Sequence, residues 1–268
     1  DYYNRKVCHN LGTKPLPEEE LLDREVMHYD IETYRDPVTN RHIPYILGAV
    51  YYRHACNTKV YLTFEGARCI PKFYDFLLSD EVKHVKVVNA YNGSRFDHYF
   101  LFAEELERVD KKIGRFILSN GRILSATVAG KRLFDLNQHI TGSLARNLKE
   151  NRCSVAKGEI DHNLSVAWED TAPERREQVM EYLQCDVVGL CELYEKINSV
   201  MHGNFKINIS RFVTSSSMCY KLWTSRFLGG VRIRLPDPEF YEVCRQAIYG
   251  GRCYPTKRSF VSTQLDQV

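Results

Sequence analysis

The chain has 268 residues, 44% hydrophobic and 26% charged, with a formal net charge of +3. That balance suits one large or two small globular domains with a substantial core, and it excludes a disordered, collagenous or low-complexity polypeptide. A charge so close to neutral requires that any polyanionic partner be met by a local basic patch.

Residues 1–22 are polar and punctuated by Pro15 and Pro17 ahead of the acidic run Glu18-Glu19-Glu20, and they read as a lead-in segment. The chain begins without methionine, which fits a piece cut from a longer polypeptide. Strand patterns cover 26–32, 43–52 and 59–64, separated by Asp36-Pro37-Val38-Thr39-Asn40 and a polar connection at 54–58, which predicts an antiparallel meander. A helix is expected around 71–78, then a short apolar strand at 85–88 running into Asn89-Ala90-Tyr91-Asn92-Gly93, then a helix from near Phe96. Strand signals recur at 115–118, 123–128 and 133–135, before a helix over 143–150.

The longest helical pattern opens at Thr171-Ala172-Pro173-Glu174, where a threonine cap with glutamate three residues on fits a capping box. Its apolar stripe runs through Val179, Leu183, Val187, Leu190, Leu193 and Ile197 and must pack on the sheet. Beyond His202-Gly203-Asn204 the composition shifts, with a Ser/Thr-rich helical stretch at 211–227 and a last helix near 239–248. The fold class is therefore α/β, with a lead-in at 1–22, a main domain at 23–202 and a smaller, mainly helical segment at 203–268. Nine cysteines are scattered with no CxxC pair and no zinc-finger spacing, so reduced thiols in an intracellular, reducing compartment are expected. No apolar run approaches membrane-spanning length, and no membrane partner is expected.

Three acidic pieces carry chemistry. Asp30 and Glu32 are one residue apart on a strand, so a period of two puts both carboxylates on one face while Tyr29 and Ile31 point the other way. Two such acids repel unless a hard divalent cation sits between them; alone, the pair also fits the polar side of an edge strand. Asp97, in Asn92-Gly93-Ser94-Arg95-Phe96-Asp97, stands where a strand gives way to a helix, a usual place for ligand-binding groups and equally a place for an acid favoured by the helix dipole. Tyr182 and Asp186 are four apart on the long helix and share a face. The order of the pieces, acid pair on a strand, acid at a strand–helix junction, tyrosine and acid on a late helix, points to one composite site.

The segments Tyr29-Asp30-Ile31-Glu32-Thr33, Asn92-Gly93-Ser94-Arg95-Phe96-Asp97 and Tyr182-Leu183-Gln184-Cys185-Asp186 resemble the three exonuclease motifs of family B DNA polymerase proofreading domains. Lys157-Gly158-Glu159-Ile160-Asp161 resembles the extra lysine motif of the protein-primed members, from phages, linear plasmids, adenoviruses and Maverick-like elements. Ile248-Tyr249-Gly250-Gly251-Arg252 resembles their Gly-Gly linker, with Ile248 where that motif usually begins with tyrosine. The expected serine/threonine-leucine primer-binding motif fails at Asp135-Leu136-Asn137, and Ser143-Leu144 is a displaced substitute. No polymerase catalytic motif is present, so primer extension is not expected of this chain.

The resemblance implies an RNase H-like (DnaQ-like) mixed sheet flanked by helices and a 3′→5′ exonuclease of the DEDDy subclass. It implies two Mg2+ or Mn2+ ions held by Asp30, Glu32, Asp97 and Asp186, with Tyr182 orienting the attacking water and Lys157 beside the scissile phosphate. Thr33, Asn92, Phe96, Tyr249, Gly250 and Gly251 would contact DNA, and Arg95, Lys111, Lys112, Arg115, Arg122, Lys131 and Arg132 are candidates for the strand's path. The partners implied are single-stranded or frayed DNA 3′ ends on a primer-template, and a terminal priming protein. An RNA-trimming nuclease of the same superfamily, or a docking module that has lost turnover, are the competing readings.

Overall fold

The computed structural model describes residues 7–8, 16–53, 58–109, 116–227, 233–234 and 237–246. Tyr249, Gly250 and Gly251, with Ile248, Lys111, Lys112 and Arg115, lie outside them.

Residues Leu16–Trp223 form one compact unit. Its strands are β1 (Val26–Arg35), β2 (His42–Arg53), β3 (Thr58–Glu65), β4 (Val87–Ala90), β5 (Ile117–Ser119), β6 (Arg122–Ser125), β7 (Thr127–Val128) and β8 (Lys131–Asp135), and its helices are α1 (Cys69–Leu78), α2 (Asp97–Arg108), α3 (Leu144–Glu150), α4 (Pro173–Phe205) and α5 (Ser215–Leu222). Six strands make one sheet in the order β3-β2-β1-β4-β8-β7. The meander β1-β2-β3 is antiparallel, β1, β4 and β8 run parallel, and β7 closes the far edge antiparallel to β8. This is the mixed sheet flanked by helices that the motifs imply, and β5 and β6 form a separate two-stranded hairpin.

Alternation along β1 sets the layers. Met27, Tyr29 and Ile31 enter the core that packs Phe73 and Leu77 of α1 and Leu101 of α2 on one face of the sheet. The intervening side chains, Asp30 and Glu32 among them, therefore face the opposite layer. On that side Ile46 and Val50 of β2 pack against Val179, Leu183 and Val187 of α4. Gly48, paired with Asp30 in the ladder, marks where the helix comes closest: a Cβ there would stand 2.9 Å from Leu183 Cγ. The absent side chain lets α4 lie low over the acid pair.

Several boundaries differ from the sequence pattern for identifiable reasons. The long helix is capped at Ala172 without a side-chain bond, because Thr171 Oγ1 donates to Ala167 O at 2.9 Å and closes the preceding 3-10 turn; Pro173 starts the helix instead. That helix runs through Gly203 to Phe205, past the boundary placed near 203. The strand expected at 85–88 is Val87–Ala90, since Val85 N is engaged by Val82 O in the turn before it. The 123–128 strand splits between the hairpin and the main sheet at buried Ala126.

In the second unit, residues 1–15 with 224–268, Val7–Cys8 pairs antiparallel with Ile233–Arg234, and the helix α6 (Pro238–Gln246) is capped by Asp237 Oδ1 accepting from Phe240 N at 2.9 Å. No helix among the described residues is long and apolar enough to cross a membrane.

Candidate active site

A cavity of about 300 Å³ in the compact unit is lined by Asp30, Glu32, Asp97, Tyr182, Asp186 and Lys157, together with Asn92, Phe96, Tyr91, Leu144, His162 and Ile31. Three elements deliver the acids: β1 carries Asp30 and Glu32, the first residue of α2 is Asp97, and α4 supplies Tyr182 and Asp186 from successive turns. Groups 156 residues apart in the chain, Asp30 and Asp186, thus share one cavity.

Glu32, Asp97 and Asp186 are buried at 7%, 4% and 3% exposure, so their charges sit where water can do little to screen them. Burial, and then the Asp186 carboxylate, push Asp30 up to about 7, with Lys157 pulling the other way. Burial and then the Asp30 charge hold Glu32 and Asp97 well above the usual carboxylate range. Lys157 Nζ donates to Asp186 Oδ2 at 2.6 Å and lies 5.2 Å from the centroid of the Tyr182 ring. Burial disfavours its charge, but Asp186 outweighs that and raises its pKa. Tyr182 is pushed up to about 12, by burial first, so its phenol keeps its proton as a hydrogen-bond donor. Gly158 lies against Tyr182, a Cβ there falling 3.1 Å from Tyr182 Cδ2, which seats the lysine loop on the helix.

The donor set fits a hard divalent cation. Asp186 Oδ1 is buried with no hydrogen-bond partner, and among the described residues four carboxylates face a single ammonium. Unsatisfied, crowded carboxylate oxygens are stable together when protons neutralise them or a cation reverses the local charge balance. Among the described residues no three acidic, histidine or cysteine side chains are drawn in to cation-holding distance, and Asp186 Oδ2 is held by Lys157.

The rim residues divide. Asn92 and Phe96 line the cavity, whereas Thr33 does not: the ladder shifts register between Glu32 and Thr33, and Thr33 Oγ1 bonds His42 Nδ1 at 3.1 Å. His42 in turn meets the Phe96 ring edge-on at 5.3 Å. Of the Ser143-Leu144 pair, Leu144 stands in the cavity wall and Ser143 caps α3 by accepting from Arg146 N at 3.2 Å. Lys131 is a correction: it is buried, and its ammonium donates to Val82 O and Val85 O, so it is structural and cannot line a strand's path. Arg132 donates to Ser210 O in a different groove.

Two residues escaped the sequence reading. Asp135, at the end of β8, accepts from Asn92 N at 2.8 Å, Ser94 N at 3.0 Å and Asn137 N at 2.9 Å, and thereby fixes the loop that presents Asn92, Phe96 and Asp97. An aspartate followed by an asparagine two residues on is a turn signal, but nothing local links it to a loop 43 residues earlier. His162 Nδ1 lies 3.7 Å from Glu32 Oε2, and its ring meets Tyr182 edge-on at 5.7 Å.

Residues 159–265 match the family of DNA polymerase type B, organellar and viral. Over 94% of its length the chain is 24% identical to the DNA-directed DNA polymerase of Enterobacteria phage PRD1, and over 66% of it 21% identical to a probable DNA polymerase of Agaricus bitorquis. It spans only 39% and 27% of those two proteins. In three dimensions it is similar to the family B DNA polymerase of the archaeon Pyrobaculum calidifontis, with a TM-score of 0.53 at 22% identity, covering 75% of this chain and 28% of that one. It also resembles phi29 DNA polymerase complexed with primer-template DNA and incoming nucleotides, with a TM-score of 0.51 at 14% identity, covering 69% and 32%. At such identities the structural likeness shows the fold.

Proposed function

We propose, on the premise that the chain is a domain of the protein-primed family B DNA polymerase group, that it is the proofreading part: a metal-dependent 3′→5′ exonuclease acting on single-stranded or frayed DNA ends. One observation carries this reading: Asp30, Glu32, Asp97 and Asp186 line one small cavity with Tyr182 and Lys157, and a buried oxygen of Asp186 has no partner.

Asp30, Glu32, Asp97 and Asp186 would hold magnesium or manganese, which when bound makes a water more acidic and opposes charge on the leaving oxygen. The remaining groups position and stabilise. The Tyr182 phenol, protonated across the working range, donates a hydrogen bond that orients the attacking water and does not remove its proton. Lys157, held by Asp186 at 2.6 Å, supplies a fixed positive charge beside the phosphate that is cleaved. Asn92 offers an amide to the terminal nucleotide, and Phe96, propped by His42 and Phe100 at 5.3 Å each, offers a ring face to a base. Such contacts tolerate any sequence, as removal of a mispaired nucleotide requires.

The test is a time course on 5′-labelled single-stranded DNA, and on primer-templates with matched and mismatched 3′ ends. The expected result is stepwise shortening from the 3′ end that needs magnesium or manganese and is faster on the mismatch. Cuts at internal positions, or equal rates with and without metal, would overturn the assignment. Faster digestion of RNA of the same sequence would favour an RNA-trimming enzyme.

A further inference from the structure

The cavity that holds the acids is one end of a longer depression. Tyr91, Asn92, Leu144 and Lys157 are shared between it and an adjoining groove of about 460 Å³, which Arg95 and Arg122 help to line. The same two arginines then line a third hollow, of about 700 Å³, along the β5–β6 hairpin. Among the described residues no carboxylate lines either of these outer grooves. The charge therefore changes sign along the depression, from four acids at one end to two guanidinium groups farther out.

Both arginines stand on fixed backbone. Arg95 ends the 3-10 turn Gly93–Arg95, whose amides are tied to Asp135 through Asn92 N and Ser94 N. Arg122 follows the hairpin turn Asn120-Gly121, whose φ values of +49° and +65° are those of a tight turn matched to the strand twist. The hairpin strand β6 packs against the Gly93–Arg95 turn, which brings the two arginines to one groove. Neither guanidinium has an ion-pair or hydrogen-bond partner among the described residues, unlike those of Arg108, Arg146 and Arg211, each of which is paired with a carboxylate. A guanidinium held on rigid backbone, with no carboxylate partner among the described residues and facing a groove whose described lining has no acid, is set to take a phosphate.

We propose that Arg95 and Arg122 form a phosphate track for single-stranded nucleic acid, which carries the backbone 5′ of the terminal nucleotide away from the acidic cavity over the Ile117–Ser125 hairpin. This inference rests on the exonuclease reading of the cavity for its direction. The cations repel nothing on the polyanion, whereas the acids accept its terminus only with a metal bound, so the track also sets which end of the strand enters. Each arginine contact displaces condensed counterions, and binding through the track weakens with salt by about 0.7 in log–log slope per phosphate contacted.

The test measures binding and hydrolysis separately. Anisotropy of a fluorescein-labelled single-stranded oligothymidylate, in EDTA and at several salt concentrations, is compared for the unsubstituted chain, Arg95→Ala/Arg122→Ala, Arg95→Lys/Arg122→Lys, and Arg68→Ala/Lys83→Ala. The last removes the same charge from exposed positions outside the grooves. The alanine pair is expected to raise Kd at least about tenfold at low salt and to flatten the salt slope by about 1.4, the lysine pair to recover most of the affinity, and the control pair to stay within about twofold. Affinity and slope unchanged in the alanine pair, or lost equally in the control pair, would overturn the track. Melting temperatures check that each variant is folded. Hydrolysis of the same oligonucleotide with manganese reports on the active site alone: a chain that binds through the arginines but never cleaves keeps the track and refutes the exonuclease.

Discussion

Two depressions in the compact unit differ in a way that separates space from chemistry. The larger, about 870 Å³, runs along residues Glu20–Glu25, Lys86, Arg132 and Asn208–Arg211 and shares no lining residue with the acidic cavity. Its polar groups satisfy one another: Glu20 pairs with Arg211 and accepts from Asn208 N, Glu25 pairs with Lys86, and Asp23 accepts from Ser210 Oγ. The smaller cavity holds four carboxylates, one ammonium and an unbonded buried oxygen. Satisfied ion pairs hold a chain segment in place, whereas unsatisfied ones store the capacity to bind something.

The contrast is broken most severely by Asp30→Ala with Glu32→Ala. Loss of metal-dependent hydrolysis by about 10³-fold or more is expected in a gel assay of 3′-end shortening, with the fold retained by circular dichroism. Tyr182→Phe separates positioning from metal holding. Its kcat should fall by about 10- to 100-fold while its manganese affinity stays near that of the unsubstituted chain, and Asp186→Asn should lose both. Equal behaviour of the two variants would merge the roles assigned to them.

The packing that lowers α4 onto the sheet is tested next. Gly48→Ala should cost about 1–3 kcal/mol in urea unfolding and slow hydrolysis, because the added methyl drives Leu183, and with it Tyr182, away from Asp30. The charge asymmetry has a pH signature. Asp30 titrates at about 7 in the folded chain against an ordinary value of 3.8, so across that window the folded state binds more protons than the unfolded one. Stability without metal is therefore fullest below the lower value and is lost as pH rises towards 7. In EDTA the melting temperature should drop by a few degrees between about pH 5 and pH 8, manganese should restore it, and Asp30→Asn should flatten the change. In the larger groove Arg211→Ala, half-exposed and ion-paired, should cost under about 1 kcal/mol and leave hydrolysis unaltered.

Much of this was open to inspection in the residues themselves. A two-residue period placed Asp30 and Glu32 on one face, and a four-residue period joined Tyr182 to Asp186, because strand and helix repeats are local properties of the backbone. What stayed hidden depends on tertiary partners. Asp135 controls a loop 43 residues away, and Lys131 looks like a surface cation until two carbonyls claim its ammonium inside the fold. Thr171 carries the right chemistry for a cap but spends its hydroxyl on the turn before the helix. Thr33 has the spacing of a site residue, yet a register shift after Glu32 turns it to His42. Gly48 has no signature of its own, since its role is set by Leu183, which crosses above it.

The claim on which all of this depends is that the clustered carboxylates bind divalent cations. Manganese titration followed by water-proton relaxation, on the unsubstituted chain and on Asp30→Asn/Asp186→Asn, addresses it without reference to any substrate. Saturable binding that weakens by at least about a hundredfold in the double variant is predicted. Manganese affinity unchanged by removal of both charges would contradict it.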